Sequence, residues 1–144
     1  MCLCYYIFMN ACNQCATVLK NDRSTYCSNK CQKDHEYGQY ISDWKQGLKT
    51  GNRGSRAQNL SSHLIRYIFQ KYDSKCAQCT WAELNPITNK SPLEIDHIDG
   101  NSLNNDEMNL ILLCPNCHSL TSTYKNLNKG YGRGWRREKY VKIV

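Results

Sequence analysis

The sequence predicts a small α+β protein that is stabilised by zinc. Its 144 residues are near the size of one ordinary domain, so at most two small packed units fit. Ten cysteines imply metal or covalent cross-links in place of a large core. Between residues 93 and 128 the pattern predicts a strand, a loop, a second strand, a cysteine pair and a helix, in that order.

The composition excludes two classes of protein. An apolar content of 40% and a charged content of 22% argue against an intrinsically disordered chain. No apolar run approaches the roughly 20 residues that span a bilayer, so we expect no membrane partner. Residues 1–9 form an N-terminal extension that lacks the basic residues and the cleavage site of a secretory signal, which predicts an intracellular protein that is not secreted.

Eight of the cysteines form two quartets, each made of two pairs whose members are separated by two or three residues. Thiolates at this spacing converge on one tetrahedral ion, and two such pairs complete a structural zinc site. We therefore predict about two structural zinc ions per chain. The first quartet is Cys12, Cys15, Cys27 and Cys31, and the second is Cys76, Cys79, Cys114 and Cys117.

Two other uses of these cysteines stay open at the level of sequence. A Cys-x-x-Cys pair can form a redox-active disulfide, although two quartets would be an unusual way to build one. The run Cys114-Pro-Asn-Cys117-His118 also matches the attachment pattern of c-type haem. That assignment would leave Cys76 and Cys79 without a role.

The N-terminal part of the chain divides into a zinc module and a linker. Residues 10–37 form a zinc knuckle module that is too short for a core of its own and depends on metal for folding. Residues 38–59 contain four glycines and four basic residues, which predicts a basic linker with a short helical stretch around Tyr40–Trp44. This linker is either a spacer or a strap on a DNA backbone.

A helix is predicted to begin near residue 60. Either Asn59 or Ser61 can cap its first turn, because both side chains accept hydrogen bonds from backbone N–H groups. Apolar residues then recur on one face, and we expect this stripe to pack onto the second zinc site. The stripe consists of Leu64, Ile65, Ile68, Phe69 and Tyr72.

Two short strands and a second helix follow. Residues 93–98 alternate between apolar and polar side chains as a strand does, and residues 99–109 carry the turn signals of a loop. Residues 110–113 form a second apolar strand that leads into the last cysteine pair. The second helix is predicted from His118 to about Asn128, before the basic tail at 131–144.

The net charge of +7 is unevenly distributed along the chain. Residues 1–59 carry an excess of basic groups, residues 60–118 an excess of acidic groups, and residues 119–144 again an excess of basic groups. Basic flanks around an acidic centre suit a metal-dependent site held against a polyanion, because the flanks attract phosphate and the centre holds cations. The alternative is a solvated basic tail without a partner. The predicted DNA contacts are Lys129, Arg133, Arg136 and Arg137 in and beside the tail, and Arg53 and Arg56 in the linker.

Four further residues complete a recognisable pattern between the cysteine pairs of the second quartet. Asp96-His97 ends the first predicted strand, Asn109 precedes the second strand, and His118 directly follows the last cysteine. The segments Leu93-Glu-Ile-Asp-His-Ile-Asp-Gly-Asn101 and Asn109-Leu-Ile-Leu-Leu-Cys-Pro-Asn-Cys-His118 resemble the HNH endonuclease family. The resemblance covers about residues 60–130, and the layout is similar to the small free-standing HNH nucleases that phages encode.

This resemblance implies a ββα-metal core and the hydrolysis of DNA phosphodiester bonds with one divalent cation, Mg²⁺, Mn²⁺ or another. By the same resemblance, His97 is the general base that deprotonates water, while Asp96 and His118 hold the cation. Asn109 orients the loop that bears His97. The implied products carry 5′-phosphate and 3′-hydroxyl ends.

Each of these residues also has a plainer interpretation. His118 could replace Cys117 as a zinc ligand, Asp96 could cap a turn, and His97 could be a buried histidine that donates to a carbonyl. Asp99 and Asn101 are turn residues that could also contact a metal-bound water. The alternative functions are a catalytically silent zinc-finger DNA-binding protein and a zinc-mediated protein-interaction adaptor.

Overall fold

The computed structural model describes residues 10–21, 23–54 and 57–127. The chain divides into two compact units, the first ending at Asp43 and the second beginning at Trp44. Along the chain the elements are α1 (Asn29–Lys45), β1 (Asn52–Gly54), β2 (Ala57–Leu60), α2 (Ser62–Lys71), β3 (Glu94–His97), β4 (Leu110–Leu113), α3 (Pro115–Ser119) and a 3₁₀ turn (Lys125–Leu127). No helix among these residues combines the length and apolar character needed to cross a membrane.

The helix α1, most of which belongs to the first unit, is longer than the sequence predicted. The prediction ended the zinc module at residue 37 and allowed a helical stretch only around Tyr40–Trp44, whereas the helix runs unbroken from Asn29 to Lys45. Its start is fixed by Ser28, whose hydroxyl accepts a hydrogen bond from the Cys31 N–H at 3.2 Å. Side chains four residues apart pair along the helix and offset the cost of Gly38 in its interior.

In the second unit, residues that the sequence assigned to a linker form part of the packed structure. The unit begins at Trp44, whereas the predicted nuclease domain began at residue 60. The strands β1 and β2 form an antiparallel hairpin. The backbone around this hairpin hydrogen-bonds both the start of α2 and the loop between β3 and β4.

The helix α2 carries the apolar core of the second unit. Of the two predicted candidates, Asn59 and Ser61, it is Ser61 that caps the helix, because its hydroxyl accepts from the Leu64 N–H at 3.1 Å. Leu64 and Ile68 are completely buried and α2 contacts β4, while Ile65 is 41% exposed, so only part of the predicted stripe is core.

The strands β3 and β4 pair as an antiparallel ladder in which Glu94 lies opposite Leu113 and His97 opposite Leu110. Both strands occur where the sequence predicted them. The prediction of a helix at 118–128 is wrong at both of its ends, since α3 runs from Pro115 to Ser119 and Lys125–Leu127 form a separate 3₁₀ turn. The cysteine knuckle is itself the start of the helix, because the Cys114 sulfur accepts from the Cys117 N–H and proline suits the first helical position.

Candidate functional site

The second cysteine quartet has the geometry of a tetrahedral metal site. The four sulfurs lie within 4.8 Å of one another, and those of Cys79 and Cys114 are 3.7 Å apart. An ion with Zn–S bonds of about 2.3 Å holds its sulfurs about 3.8 Å apart, so the donor set fits zinc. None of the cysteines in the described ranges forms a disulfide. The Ala77 N–H bonds the Leu112 carbonyl at 2.8 Å, which fastens this site to β4.

The first quartet satisfies the same test within the first unit. Its sulfurs also lie within 4.8 Å of one another, and three of the separations are 3.4, 3.6 and 3.8 Å. Each is close to the edge of a zinc–thiolate tetrahedron and well beyond a disulfide bond of about 2.05 Å. This spacing does not support the disulfide alternative.

The pKa values of the thiols explain why each quartet requires a cation. Burial raises the pKa of Cys76 and of Cys12, but backbone N–H groups that donate to the sulfurs outweigh it and lower each pKa to about 6. Hydrogen bonds with the other cysteines raise the pKa of Cys117 and of Cys27 to about 12. The thiolates of Cys76 and Cys12 therefore form readily, whereas Cys117 and Cys27 deprotonate near neutral pH only when a positive ion balances the charge.

Asp96 and His118 come together across β3 and α3. The Asp96 Oδ1 lies 3.6 Å from the His118 Nε2, and the two side chains are 15% and 22% exposed. Two ligands at about 2.1 Å from one cation can be up to about 4.2 Å apart, so this pair fits a single divalent ion. Asp96 also lines an open cavity of about 270 Å³ together with Thr121 and Thr123.

Glu94 joins this pair, although no sequence motif pointed to it. Its Oε2 lies 2.5 Å from the His118 Nδ1. Glu94 and Asp96 are two residues apart on β3 and therefore project from the same face. The alternation of side chains along the predicted strand was the sequence signal that could have pointed to Glu94. A proton on Nδ1 directed at Glu94 leaves the Nε2 lone pair directed towards Asp96, which is the arrangement a metal-binding histidine needs.

His97 lies on the other side of β3. Consecutive strand residues point to opposite faces, so His97 lines a separate cavity of about 420 Å³ with Ile65 and Phe69 from α2. Its Nε2 is 2.9 Å from the Oδ1 of Asn105, a second residue that the sequence pattern did not single out. Asp96 and His118 therefore lie close together, whereas His97 lines a different cavity.

Asn109 is buried and holds the loop that follows His97. Its Oδ1 accepts from the Asp99 N–H at 3.0 Å, and its Nδ2 donates to the Asn104 carbonyl at 2.7 Å. Its backbone carbonyl accepts from the Ile98 N–H at 2.9 Å. These bonds span the loop from both ends, which is the geometry that an orienting residue requires. Asp99 accepts from the Asn101 N–H at 2.8 Å, so both are turn residues.

The predicted DNA-contacting residues are divided between described and undescribed parts of the chain. Arg53 is exposed on β1. Arg56, the basic tail and the N-terminal extension with Cys2 and Cys4 lie outside the described residues. The predicted contacts of Lys129, Arg133, Arg136 and Arg137 with DNA therefore stay predictions.

Part of the second unit is similar to known proteins. The model of the HNH endonuclease family matches residues 76–123. Over 59 residues the chain is 49% identical to the H-N-H endonuclease F-TflIV of Escherichia phage T5. That match covers 39% of this chain and 24% of the phage protein, so the chain spans about a quarter of its relative's length. No solved structure matches the chain significantly.

Proposed function

We propose that this chain, whose residues 76–123 belong to the HNH endonuclease family, is an enzyme that hydrolyses DNA phosphodiester bonds with the help of a divalent cation. The observation that carries the proposal is the Asp96–His118 pair, which presents a carboxylate oxygen and an imidazole nitrogen 3.6 Å apart. The phage relative that is named an endonuclease is much longer than the segment that matches this chain. The activity, substrate and partners of the whole chain are therefore part of this proposal.

Asp96 and His118 are the proposed ligands of the catalytic cation, which is Mg²⁺, Mn²⁺ or another divalent ion. Two protein ligands leave several coordination positions for water and phosphate, whereas a structural site is closed by four. When bound, the cation neutralises charge on the scissile phosphate and stabilises the departing 3′ oxygen. The four cysteines of the second quartet form a complete set of four zinc ligands, so the zinc site does not need His118 as a ligand.

His97 is the proposed general base that takes a proton from the attacking water. It is the last residue of β3 and directly follows Asp96, so the proposed base and the proposed metal ligand are neighbours at the end of one strand. Asn109 is the proposed positioning residue for the loop after His97, through its hydrogen bonds to backbone groups. Attack on phosphorus with loss of the 3′ oxygen leaves 5′-phosphate and 3′-hydroxyl ends.

The two cysteine quartets are proposed to hold structural zinc. Both have sulfur separations that match a zinc–thiolate tetrahedron, and each contains a thiol with a lowered pKa, Cys12 or Cys76, and a thiol with a raised pKa, Cys27 or Cys117. The second ion would hold the β4–α3 corner beside His118, and the first would fold the zinc knuckle module. Thiolate ligation also suits the reducing interior of a cell, which in a phage-encoded case is the bacterial host.

A plasmid-cleavage assay with added Mg²⁺ or Mn²⁺ tests the enzymatic proposal. His97→Ala should lower the cleavage rate at least about 100-fold, because a general base contributes that much, while DNA binding and zinc content stay unchanged. His63→Ala, which changes a histidine of α2, is the matched control and should cleave normally. Absence of cleavage by the unaltered chain with every divalent cation, with DNA binding retained, would instead favour a catalytically silent zinc-finger DNA-binding protein.

The proposed DNA contacts of the tail are tested by salt dependence. Residues 129–144 contain six basic side chains. Each phosphate contact contributes about 0.9 to the slope of log affinity against log salt concentration, so removal of this segment should flatten the slope by several units. Arg53→Ala should flatten it by about 1. A slope that is unchanged by truncation would show that the tail does not contact DNA.

A further inference from the structure

Asn105 is a buried polar residue in the loop between β3 and β4, and each end of its side-chain amide has a partner. The Nδ2 group donates to the Thr50 carbonyl at 2.7 Å and to the Asn52 Oδ1 at 2.9 Å. The Oδ1 lies 2.9 Å from the His97 Nε2. Its backbone carbonyl accepts from the Trp44 Nε1–H at 3.0 Å. With 5% exposure, this residue has almost no alternative partner in water.

These partners fix the orientation of the amide without reference to hydrogen positions. A backbone carbonyl can only accept, so the end of the Asn105 amide that faces Thr50 must be the NH₂ group. The end that faces His97 is then the oxygen, which also can only accept. The His97 Nε2 must therefore carry a hydrogen. A neutral imidazole has one N–H, so its lone pair is on Nδ1.

We propose that Asn105 is a positioning residue that fixes the tautomer and ring orientation of His97 and makes Nδ1 the nitrogen that accepts the proton from water. This proposal rests on the proposed role of His97 as general base. The segment Thr50–Asn52 anchors the amide, so a stretch that the sequence assigned to a linker supports the reacting imidazole. Without Asn105 the ring can rotate and populate both tautomers, and only part of the population presents the correct nitrogen.

The tautomer is measurable without any cleavage assay. In the full, zinc-loaded chain labelled with ¹⁵N-histidine, long-range proton–nitrogen NMR at a pH where the ring is neutral should give a pyrrole-type Nε2 and a pyridine-type Nδ1 for His97. Comparison with the His97→Ala spectrum identifies the signals. Asn105→Ala should shift them towards a mixture of tautomers. An Nδ1–H tautomer in the unaltered chain would overturn the proposal, whether or not the chain cleaves DNA.

Kinetics separate positioning from a purely structural role. Asn105→Ala should lower kcat about 10-fold to 100-fold, with little change in KM for DNA or in Mn²⁺ affinity. The same substitution in the His97→Ala background should cause no further loss, because both changes remove one function. A further loss of similar size in the double variant would show that Asn105 acts independently of His97 and would overturn the proposal.

A second variant keeps the test valid if Asn105→Ala fails to fold. Asn52→Ala removes one acceptor of the amide but keeps Asn105 and the Thr50 carbonyl in place. It should give a smaller fall in kcat with a correspondingly smaller shift of the His97 signals towards a mixture. Thr88→Ala, in an exposed loop of the same unit, is the control and should match the unaltered chain in both measurements. Unshifted His97 signals together with a full-sized fall in kcat would contradict the proposal.

Discussion

The imidazole of His118 lies between two carboxylates that come from alternate residues of β3. Asp96 faces Nε2 and Glu94 faces Nδ1, at 3.6 and 2.5 Å. A histidine that binds a metal through one nitrogen is commonly held through the other by a carboxylate, which fixes the ring and raises its basicity. The difference in exposure is consistent with different roles, because the Glu94 side chain is 58% exposed and that of Asp96 is 15% exposed.

Removal of the Glu94 carboxylate should therefore weaken the proposed cation site at Asp96 and His118. We expect Glu94→Ala to lower Mn²⁺ affinity about 10-fold to 100-fold, which calorimetry or electron paramagnetic resonance of bound Mn²⁺ can measure on the zinc-loaded chain. Glu83→Ala, at an exposed acidic position in the same unit, removes the same charge and is the matched control. Equal losses in the two variants would mean that general electrostatics, and not the contact with His118, accounts for the effect.

Among the elements, the turn that leads into β1 has strict steric requirements at Gly51. Gly51 has a φ of +79°, and a Cβ built on it would lie 2.6 Å from the Leu64 Cδ2 and 3.2 Å from the Asn105 Cβ. Its carbonyl accepts from the Ser61 N–H at 2.8 Å, which joins the turn to the start of α2. A short glycine turn thus lets the backbone approach both the helix core and the loop that carries Asn105.

This close approach makes Gly51→Ala a test of the hairpin's role. The added methyl group must displace a buried leucine and occupy a left-handed backbone conformation, so we expect the substitution to destabilise the chain by about 2 kcal/mol. Gly38→Ala is the control, because Gly38 lies within α1 and a Cβ added there would meet no heavy atom within 4 Å beyond its own helix backbone. That substitution should stabilise α1 by about 0.5–1 kcal/mol. Chemical denaturation that ranks the two variants in the opposite order would contradict this account.

At the scale of the whole molecule, each compact unit contains one cysteine quartet. The first unit contains Cys12, Cys15, Cys27 and Cys31, and the second contains Cys76, Cys79, Cys114 and Cys117. Most of the largest completely buried side chains belong to α2 and β4 in the second unit. We therefore expect the chain to depend on bound metal for folding, as small domains with limited cores commonly do.

The zinc affinity of the chain should rise with pH. Without metal, Cys27 and Cys117 have a pKa of about 12 and stay protonated at neutral pH, whereas Cys12 and Cys76, with a pKa of about 6, are largely ionised there. Zinc must displace the protons that remain, so the loaded form is favoured at high pH and lost on acidification. Competition with a chromophoric chelator between about pH 6 and pH 9 should show at least about a tenfold gain per pH unit for each site. An affinity that does not change with pH would contradict this prediction.

The sequence by itself determined the grouping of the cysteines and the two strands, and it narrowed the cap of α2 to Asn59 or Ser61. These features depend on spacing within a knuckle, on alternation along a strand or on a local cap, all of which operate over a few residues. The start of α3 was the exception among local features, because the prediction placed the helix after the knuckle although Pro115 and Cys114 form its first turn.

Only the tertiary structure decided which polar side chains support the proposed catalytic residues. Asn105 contacts Thr50 across 55 positions of sequence, and Glu94 reaches His118 across 24. Such partners are chosen by how the hairpin, the loop and the knuckle pack, because a buried amide or imidazole must find its hydrogen bonds among whatever the fold brings near it. For the same reason the segment that composition marked as a linker became part of the structure around His97.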